Sequence, residues 1–400
     1  MSVSQAQLLI SDSGQNADML YATRFWAYDP FVHLRIGRRR VVVLSDLEID
    51  RGRRELPGFE IVPLSSVLAQ IAGGAVAKRN PPAGTARRPA RAKSSRASAP
   101  APLLADVALV LLRGARVKRV VVPGSFPLEY ADHLRARGVH VSTGGSPFFQ
   151  SRVVKSAPEI AMIREAQEAT ELAMDAAIAL IRHAEIRGDA LFHDGAPLTS
   201  ERVREAIGID LLRRGFAAGN PIVAGGAQAC DPHEAGHGPL PANSPIILDI
   251  FPRSVRTGYF GDMTRTVVRG RASEKARRMF DAVLEGQNIA LGMIRAGAAA
   301  YKIHAAITAR FDELGFPTGQ MDGRMQGFFH GTGHGLGLEI HEPPRIGKVK
   351  TTLRAGMVVT VEPGLYYSDA GGIRLEDIVV VTKGGCENLN RYPKELEVNA

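Results

Sequence analysis

Between residues 330 and 342, three histidines lie among four glycines that occupy alternate positions, a pattern that few folds require. The segment reads His330-Gly-Thr-Gly-His334-Gly-Leu-Gly-Leu-Glu-Ile-His341-Glu, with glycines at 331, 333, 335 and 337. This glycine density disfavours a helix, and a residue without a Cβ lets backbone approach a ligand or a neighbouring strand. Imidazole is a common metal ligand and general acid or base. The segment therefore predicts a non-helical functional site rather than isolated surface or core histidines.

Four carboxylates lie in short apolar runs, where an unpaired charge would be costly to bury. The runs are Pro-Ile-Ile-Leu-Asp-Ile-Phe, Tyr-Phe-Gly-Asp-Met-Thr-Arg-Thr, Gly-Met-Val-Val-Thr-Val-Glu-Pro-Gly and Gly-Ile-Arg-Leu-Glu-Asp-Ile-Val. Their β-branched residues and flanking Gly or Pro are typical of buried strands. The acidic residues are Asp249, Asp262, Glu362 and Glu376.

These donors predict a dinuclear metal site. Oxygen-rich donors with one imidazole suit divalent Mn, Co, Fe or Zn, and four carboxylates balance the charge of two such ions. Two metals about 3.5–4 Å apart can hold a hydroxide between them and polarise a carbonyl, which is an arrangement used for hydrolysis.

The order Asp, Asp, His, Glu, Glu resembles the pita-bread metallopeptidase family (M24), which includes methionine aminopeptidase, aminopeptidase P and prolidase. The resemblance covers the chain from about residue 155 onward, and it rests on Leu-Asp249-Ile, Gly-Asp262-Met-Thr-Arg-Thr, the segment from His330 to His341, Thr-Val-Glu362-Pro-Gly-Leu-Tyr and Gly-Ile-Arg-Leu-Glu376-Asp. It implies a catalytic domain with a curved antiparallel sheet and surrounding helices.

The same resemblance implies the ligand set. Asp249 would bind one metal, His334 and Glu362 would bind the other, and Asp262 and Glu376 would bridge them. Manganese is the expected metal, with cobalt, zinc or iron as alternatives.

Catalytic roles also follow from the resemblance. Glu362 would accept a proton from the attacking water, and His341 would steady the tetrahedral intermediate. A further histidine would contact the substrate near the scissile bond. His233, sixteen residues before Asp249, is preferred for this role over the nearer His237.

Three more residues are candidates for contacts to the substrate or to the ligands: His330, Arg374 and Tyr366. Alternate strand residues share a side, so Arg374 is predicted to orient Glu376. An ordinary surface arginine and a packing tyrosine are the alternatives.

A rival motif, His233-Glu234-Ala-Gly-His237, fits the H-E-x-x-H pattern of zinc proteases, in which a helix places both histidines on one face. Gly236 and Gly238, followed by two prolines, make that helix unlikely. In the zinc-protease interpretation Glu234 would be the catalytic base.

One departure from the family pattern is the segment between Asp249 and Asp262, which is about two residues longer than the usual hairpin. Hairpin loops tolerate such changes at modest entropic cost. We expect this one to reshape the pocket rim with Arg253 and Arg256.

The length of 400 residues and an apolar fraction of 45% predict two globular domains. We place them at 1–152 and 153–400, with an overall α+β fold class. β-like runs at Arg40-Val-Val-Val-Leu and Lys118-Arg-Val-Val-Val-Pro predict a smaller α/β domain first, and its opening resembles the creatinase-like N-terminal domain of aminopeptidase P and prolidase. The resemblance implies a homodimer or larger homo-oligomer.

Residues 73–102 contain seven basic and no acidic residues among Ala, Pro, Gly and Ser. Such a tract cannot bury enough apolar surface to offset chain entropy, so we predict a disordered insertion. It supplies seven of the nine net positive charges of the chain. Nucleic-acid binding by this tract is the alternative, but no aromatic residues are interleaved with the basic ones.

No apolar run approaches the ~20 residues of a membrane span, and the first residues lack a signal-peptide pattern. A cytoplasmic protein is expected, and the two cysteines, Cys230 and Cys386, are expected to be reduced thiols.

The predicted function is metal-dependent hydrolysis of peptide bonds, with release of an N-terminal residue that precedes proline. A prolidase acting on Xaa-Pro dipeptides is the nearest alternative. A creatinase-like C–N hydrolase and a non-enzymatic binding protein on the same fold are remoter ones.

Overall fold

The structure is a computed structural model that describes residues 6–77 and 104–400. The chain divides into two compact units, Met1–Gln150 and Ser151–Ala400. The division falls two residues before the boundary expected from the sequence. Each unit has its own apolar core.

The first unit combines one mixed sheet with helices. Its elements are β1 (Ala6–Ser11), α1 (Ala17–Thr23), β2 (Phe31–Ile36), β3 (Arg39–Leu44), α2 (Ile49–Glu55), β4 (Glu60–Pro63), α3 (Leu64–Ala77), α4 (Leu104–Gly114), β5 (Arg119–Val122), α5 (Leu128–Arg135) and β6 (His140–Thr143). The strand order is β4-β3-β2-β1-β5-β6. Strands β1, β2 and β3 are antiparallel neighbours, and the outer pairs are parallel. The α/β character predicted here is confirmed.

The first residues of the predicted insertion belong to helix α3. Helix α3 continues to Ala77, so residues 73–77 are helical rather than disordered. An apolar turn of Gly-Gly-Ala-Val-Ala continues the helix before the basic residues start. The remainder of the predicted insertion, 78–102, lies outside the described residues.

The second unit contains four α-helices: α6 (Ala157–Arg182), α7 (Ser200–Arg213), α8 (Glu274–Met293) and α9 (Ala300–Glu313). Helix α6 is amphipathic. It buries Ile163, Ala166, Thr170, Ala173 and Ala177, which are spaced three or four residues apart and therefore lie on one face of a helix with a 3.6-residue period. Among the described helices, none has the length and apolar character needed to cross a membrane.

The strands of the second unit are short. They are β7 (Glu185–Arg187), β8 (Ala190–His193), β9 (Ala196–Pro197), β10 (Phe216–Ala217), β11 (Ile222–Gly225), β12 (Ile246–Ile250), β13 (Arg253–Ser254), β14 (Met263–Val267), β15 (Gly319–Met321), β16 (Arg324–Gln326), β17 (Gly333–Gly335), β18 (Glu342–Ile346), β19 (Val358–Val361), β20 (Gly364–Tyr367), β21 (Gly371–Arg374), β22 (Asp377–Val381) and β23 (Cys386–Asn388).

Two antiparallel sheets dominate this unit, ordered β11-β12-β14 and β18-β17-β19-β22-β23. Helices α8 and α9 contribute Val283, Ile303 and Ile307 to a core shared with Val359 and Val379 of the larger sheet. Packing on the helices holds these strands, and therefore the residues at their ends, in fixed positions.

Candidate active site

The five predicted ligands reach one cavity from the strands of the two antiparallel sheets. Asp249 lies within β12, whereas Asp262 and Glu376 immediately precede β14 and β22. Glu362 directly follows β19, and His334 is the middle residue of β17. All five side chains line a cavity of about 860 Å³.

Four of the five side chains converge closely. Ligand atoms of Asp262, His334 and Glu376 lie within 4.8 Å of one another. His334 Nε2 is 3.7 Å from Asp262 Oδ2 and 3.4 Å from Glu362 Oε1. These distances suit groups that surround an ion rather than groups that bond to one another.

The carboxylates repel each other in a buried setting. Burial, followed by repulsion from Glu376 and Asp249, raises the pKa of Asp262 well above its usual range. Burial and repulsion from Glu362 and Asp249 do the same to the pKa of Glu376. Burial also raises the pKa of Glu362 to about 7, although Arg374 acts in the opposite direction. Without further positive charge among them, these groups would take up protons.

The donor set fits a divalent metal ion. Asp249 Oδ1 is a buried acceptor without a partner among the described residues. Burial, and then the neighbouring His341, lowers the pKa of His334 to about 3, so its imidazole is neutral, as metal binding requires. Carboxylate oxygens with one imidazole suit ions of the Mn, Co, Fe or Zn type.

Arg374, buried on β21, donates to three side chains and, over 3.4 Å, to the carbonyl oxygen of Pro232. It donates from Nη2 to Asp249 Oδ2 over 2.7 Å, from Nη1 to the Tyr366 hydroxyl over 3.0 Å, and from Nε to the Thr264 hydroxyl over 3.2 Å. Strand β21 ends at Arg374, so Arg374 and Glu376 do not continue one strand, and the link from Arg374 to Glu376 runs through the Thr264 hydroxyl. The Thr264 hydroxyl donates to Glu376 Oε2 over 2.8 Å.

His330 and Tyr366 form a polar pair at the cavity wall. His330 Nδ1 lies 2.8 Å from Gly331 O and therefore carries the proton, which leaves Nε2 to accept from the Tyr366 hydroxyl over 2.9 Å. Burial, and then the charge of Arg374, lowers the pKa of His330 to about 3. This neutral imidazole extends the network that begins at Asp249.

Two further residues, Thr360 and Gln167, hold the predicted ligands by hydrogen bonds, and neither was predicted from the sequence. The Thr360 hydroxyl donates to Glu362 Oε1 over 3.3 Å and accepts from the His334 backbone N–H over 3.1 Å. The amide oxygen of Gln167, on α6, accepts from the Asp262 backbone N–H over 2.9 Å. Strand alternation could have drawn attention to Thr360, two residues before Glu362, but nothing local marks Gln167.

Of the remaining predicted histidines, His233 and His341 line the cavity. The His341 ring meets the His334 ring edge to face, with 4.3 Å between centroids. His237 is not brought to the cavity, since its side chain is 73% exposed.

The zinc-protease alternative fails on local geometry. Residues 231–241 form turns and extended segments rather than a helix. Gly236 has a φ of +82°, and a Cβ there would lie 1.8 Å from Val223 O. The segment is therefore folded tightly against β11, and Glu234 lies outside the cavity lining.

The glycines around His334 allow a close approach of strands. A Cβ on Gly333 would lie 1.9 Å from the carbonyl oxygen of Thr360 in β19. A Cβ on Gly335 would lie 2.4 Å from Pro343 O, near the irregular pairing of β17 with β18. The alternating glycines thus let His334 lie between two neighbouring chains.

The long connection after Asp249 shapes the cavity differently from the expectation. Phe251 lines the cavity, whereas Arg253 and Arg256 do not. Arg253 donates to Gly258 O within the loop, and Arg256 pairs with Glu165 on α6. Both arginines brace the loop, because their side chains are directed along it and onto the helix.

Arg345 is a cavity residue that the sequence analysis missed. It lies on β18 directly across from His334 in the strand register and lines the cavity. No hydrogen bond or salt bridge of its side chain is found in residues 6–77 and 104–400. Its position after two prolines, in His-Glu-Pro-Pro-Arg, gave no local indication of its direction.

A model of metallopeptidase family M24 matches residues 161–383, which is more than half of the chain. The Xaa-Pro dipeptidase of Pyrococcus furiosus is 32% identical over 252 residues, covering 61% of this chain and 65% of that protein. The chain thus spans just under two thirds of the length of this curated relative.

Solved structures share the fold. A structure of Xaa-Pro dipeptidase from Bacillus anthracis superposes with a TM-score of 0.77 at 22% identity, covering 98% of this chain and 94% of that chain. A structure of X-Pro aminopeptidase from Thermotoga maritima gives a TM-score of 0.76 at 22% identity, with coverages of 98% and 97%. The predicted α+β, pita-bread fold class is confirmed.

Proposed function

The chain belongs to metallopeptidase family M24, and on that premise we propose that it is a metal-dependent peptidase that hydrolyses Xaa-Pro dipeptides. The resemblance stated from the motifs is thereby confirmed at the level of the family. Release of an N-terminal residue from longer Xaa-Pro peptides was the first choice from the sequence. The name of the P. furiosus relative favours the dipeptidase alternative instead.

The observation that carries the choice is Arg345. Arg345 lines the cavity, and its charge adds to burial in lowering the pKa of His341 and acts against the burial that raises the pKa of Glu362. In a dipeptide the proline carboxylate lies one residue from the scissile bond, and an arginine fork matches a carboxylate well. In a longer peptide an amide occupies that position. Arg345 therefore favours substrates that end at the proline.

The five ligands Asp249, Asp262, His334, Glu362 and Glu376 would hold two divalent ions, for which manganese is our first choice. When bound, such a pair supplies Lewis-acid polarisation of the scissile carbonyl and lowers the pKa of water.

The surrounding side chains provide positioning and proton transfer. Glu362 accepts the proton of the attacking water at a carboxylate oxygen. His341 is kept neutral because burial, followed by Arg345, lowers its pKa, and it donates an N–H to the oxygen that gains negative charge. His233 contacts the substrate beside the scissile bond.

A matched peptide series tests this function. Metal-stripped protein is resupplied separately with Mn, Co and Zn and assayed on Ala-Pro, Ala-Pro-amide, Ala-Pro-Ala and Met-Ala-Ala. We expect metal-restored cleavage of Ala-Pro, with kcat/KM at least about tenfold above that for Ala-Pro-amide, the scale of one charged hydrogen bond. Preference for Ala-Pro-Ala would establish the aminopeptidase alternative.

The Arg345→Met variant sharpens the test. We expect KM for Ala-Pro to rise about tenfold or more while KM for Ala-Pro-amide stays unchanged. Lys350→Met is the matched control, because Lys350 is an exposed cation near the same strand that does not line the cavity. Equal losses on both substrates in Arg345→Met would refute carboxylate recognition.

A homodimer in the cytoplasm completes the proposal. Light scattering of the purified full chain would test the dimer, and a monomer at micromolar concentration would contradict it.

A further inference from the structure

A buried ionic cluster lies next to the loop that carries His341, on the side that faces the protein interior. Its centre is Glu342, the next residue in the chain, whose side chain is only 1% exposed. Arg152 Nη2 lies 2.5 Å from Glu342 Oε1, and Lys155 Nζ lies 3.0 Å from Glu342 Oε2. Both cations are buried as well, and Arg152 also contacts the more exposed Glu339 over 2.7 Å. One carboxylate thus holds two cations away from water.

The same carboxylate closes the loop. Glu342 Oε1 accepts hydrogen bonds from the backbone N–H groups of Leu338, over 3.0 Å, and Glu339, over 3.1 Å. A Cβ on Gly337 would lie 3.0 Å from both carboxylate oxygens. The backbone from 337 to 342 is therefore wrapped around the Glu342 side chain, and His341 lies within this wrapped segment.

His341 has little else to fix its direction. Among the described residues its ring makes no hydrogen bond, and its ring contact is the edge-to-face packing on His334. The ring projects into the cavity, while Glu342 projects in the other direction, into the protein. The backbone that Glu342 holds is thus the main determinant of where the His341 imidazole lies.

Energetics argue against a role in stability alone. Burying three charged groups is expensive, and apolar residues of similar volume often serve stability equally well or better. Burial acts to raise the pKa of Glu342, but Lys155 and Arg152 outweigh it, and the net shift is downward. Glu342 is therefore held as a carboxylate, the form that accepts from the two loop N–H groups.

We propose that Glu342, clamped by Arg152 and Lys155, is a positioning residue that holds the His341 loop in its productive geometry. This inference rests on the proposed function, because it assigns His341 to the stabilisation of the transition state. Groups that act only in the transition state change kcat, whereas uniform binding changes KM.

The experiment compares kcat and KM for Ala-Pro in the metal-loaded full chain, the Glu342→Gln and His341→Ala variants, and the double variant. We expect Glu342→Gln to lower kcat at least about tenfold, with KM within a factor of two. In the His341→Ala background the same change should lower kcat by less than a factor of two, because the two residues act as one unit. Equal effects of Glu342→Gln in both backgrounds would overturn the proposal.

Two controls separate positioning from general destabilisation. Val283→Ala opens a cavity in the core under α8 and should lower the melting temperature with little change in kcat. Lys155→Met removes one of the two cations and should reproduce the fall in kcat in part. It replaces Glu342→Gln if that variant does not fold, and an undiminished kcat in Lys155→Met would then refute the proposal.

A second readout does not depend on the substrate assignment. Hydrogen exchange of the Leu338 and Glu339 amides should accelerate at least tenfold in Glu342→Gln, while amides of β19 and β22 keep their protection. Unchanged exchange of these loop amides in Glu342→Gln would refute the inference, whether or not the wild-type protein cleaves the peptides. Failure of the wild-type protein to cleave any of the peptides would reject the proposed function. Active wild-type protein with undiminished kcat in Glu342→Gln would reject the inference alone.

Discussion

Arg374 donates a hydrogen bond to Asp249 over 2.7 Å, and it does so from the strand β21 to the strand β12. The second oxygen of Asp249 is buried without a partner among the described residues. One oxygen is thus oriented by a fixed cation while the other remains to bind an ion. The three donor directions of a guanidinium make this possible, because Arg374 reaches Tyr366 and Thr264 at the same time.

Arg374→Lys should lower kcat/KM roughly a hundredfold, because a single ammonium cannot orient Asp249, Tyr366 and Thr264 together. Steady-state kinetics at saturating metal would measure the loss. Tyr366→Phe is the matched control. It removes only one of the side-chain contacts of Arg374, so its kcat/KM should fall clearly less than that of Arg374→Lys. If the lysine variant kept wild-type activity, the orientation of Asp249 would not depend on the guanidinium group of Arg374.

Asp262→Asn and Glu376→Gln should each weaken metal binding by more than about a hundredfold, because loss of even an outer partner of a ligand lowers metal affinity about 10–100-fold. Isothermal titration with Mn and analysis of bound metal would show this. Glu234→Ala is the control and should stay within a factor of two of wild type. A reversed ranking would restore the zinc-protease interpretation.

Gly236→Ala should destabilise the protein by roughly 2 kcal/mol or more, since the added Cβ would lie 1.8 Å from Val223 O. Gly238→Ala is a close control, because Gly238 also has a positive φ, of +71°, but has no atom within 4 Å of an added Cβ. Both variants place an alanine at a positive φ, so both carry the same kind of backbone strain. The difference between their urea unfolding midpoints would measure the cost of the contact between the added Cβ and Val223 O. Equal midpoints would contradict the tight packing of this loop on β11.

The Glu342 cluster should make stability pH-dependent in acid. The pKa of Glu342 in the folded protein lies below its ordinary value of 4.5, because Lys155 and Arg152 outweigh burial. Its contribution is therefore fully present above pH 4.5 and is lost as the pH falls through the lower, folded-state pKa.

Unfolding free energies of wild type and Glu342→Gln would test this titration. The difference should be roughly 3 kcal/mol near neutral pH, the cost of leaving buried charges unpaired, and should shrink toward pH 3. A difference that stays constant across this range would mean that Glu342 is not charged in the folded protein.

The sequence predicted most clearly what is encoded locally. Helix α6 is encoded locally, because its buried residues recur with helical periodicity. Asp249, Asp262, Glu362 and Glu376 were recognisable because carboxylates are rare in β-branched runs, and the structure brings them to one cavity with His334. Their role as ligands stays a prediction.

Contacts between distant segments were not readable. Gln167 contacts Asp262 from 95 positions away, and Arg152 contacts Glu342 from 190 positions away, so no local pattern joins them. Arg374 was predicted to serve Glu376 on the assumption of a continuous strand. Arg374 reaches Glu376 through Thr264, and its bond to Asp249, 125 positions away, has no local signal in the sequence.

The positions of Arg152 and Lys155, the partners of Glu342, limit where a fragment containing the second unit can start. Arg152 and Lys155 lie within the first five residues of the unit Ser151–Ala400. A shortened protein that starts at residue 153, the boundary expected from the sequence, would retain every proposed metal ligand but lose Arg152. Starting at 151 instead would preserve both cations. The two fragments differ by only two residues at the N-terminus. Both retain the proposed metal ligands, but only the fragment that starts at residue 151 keeps the contacts that hold the His341 loop in place.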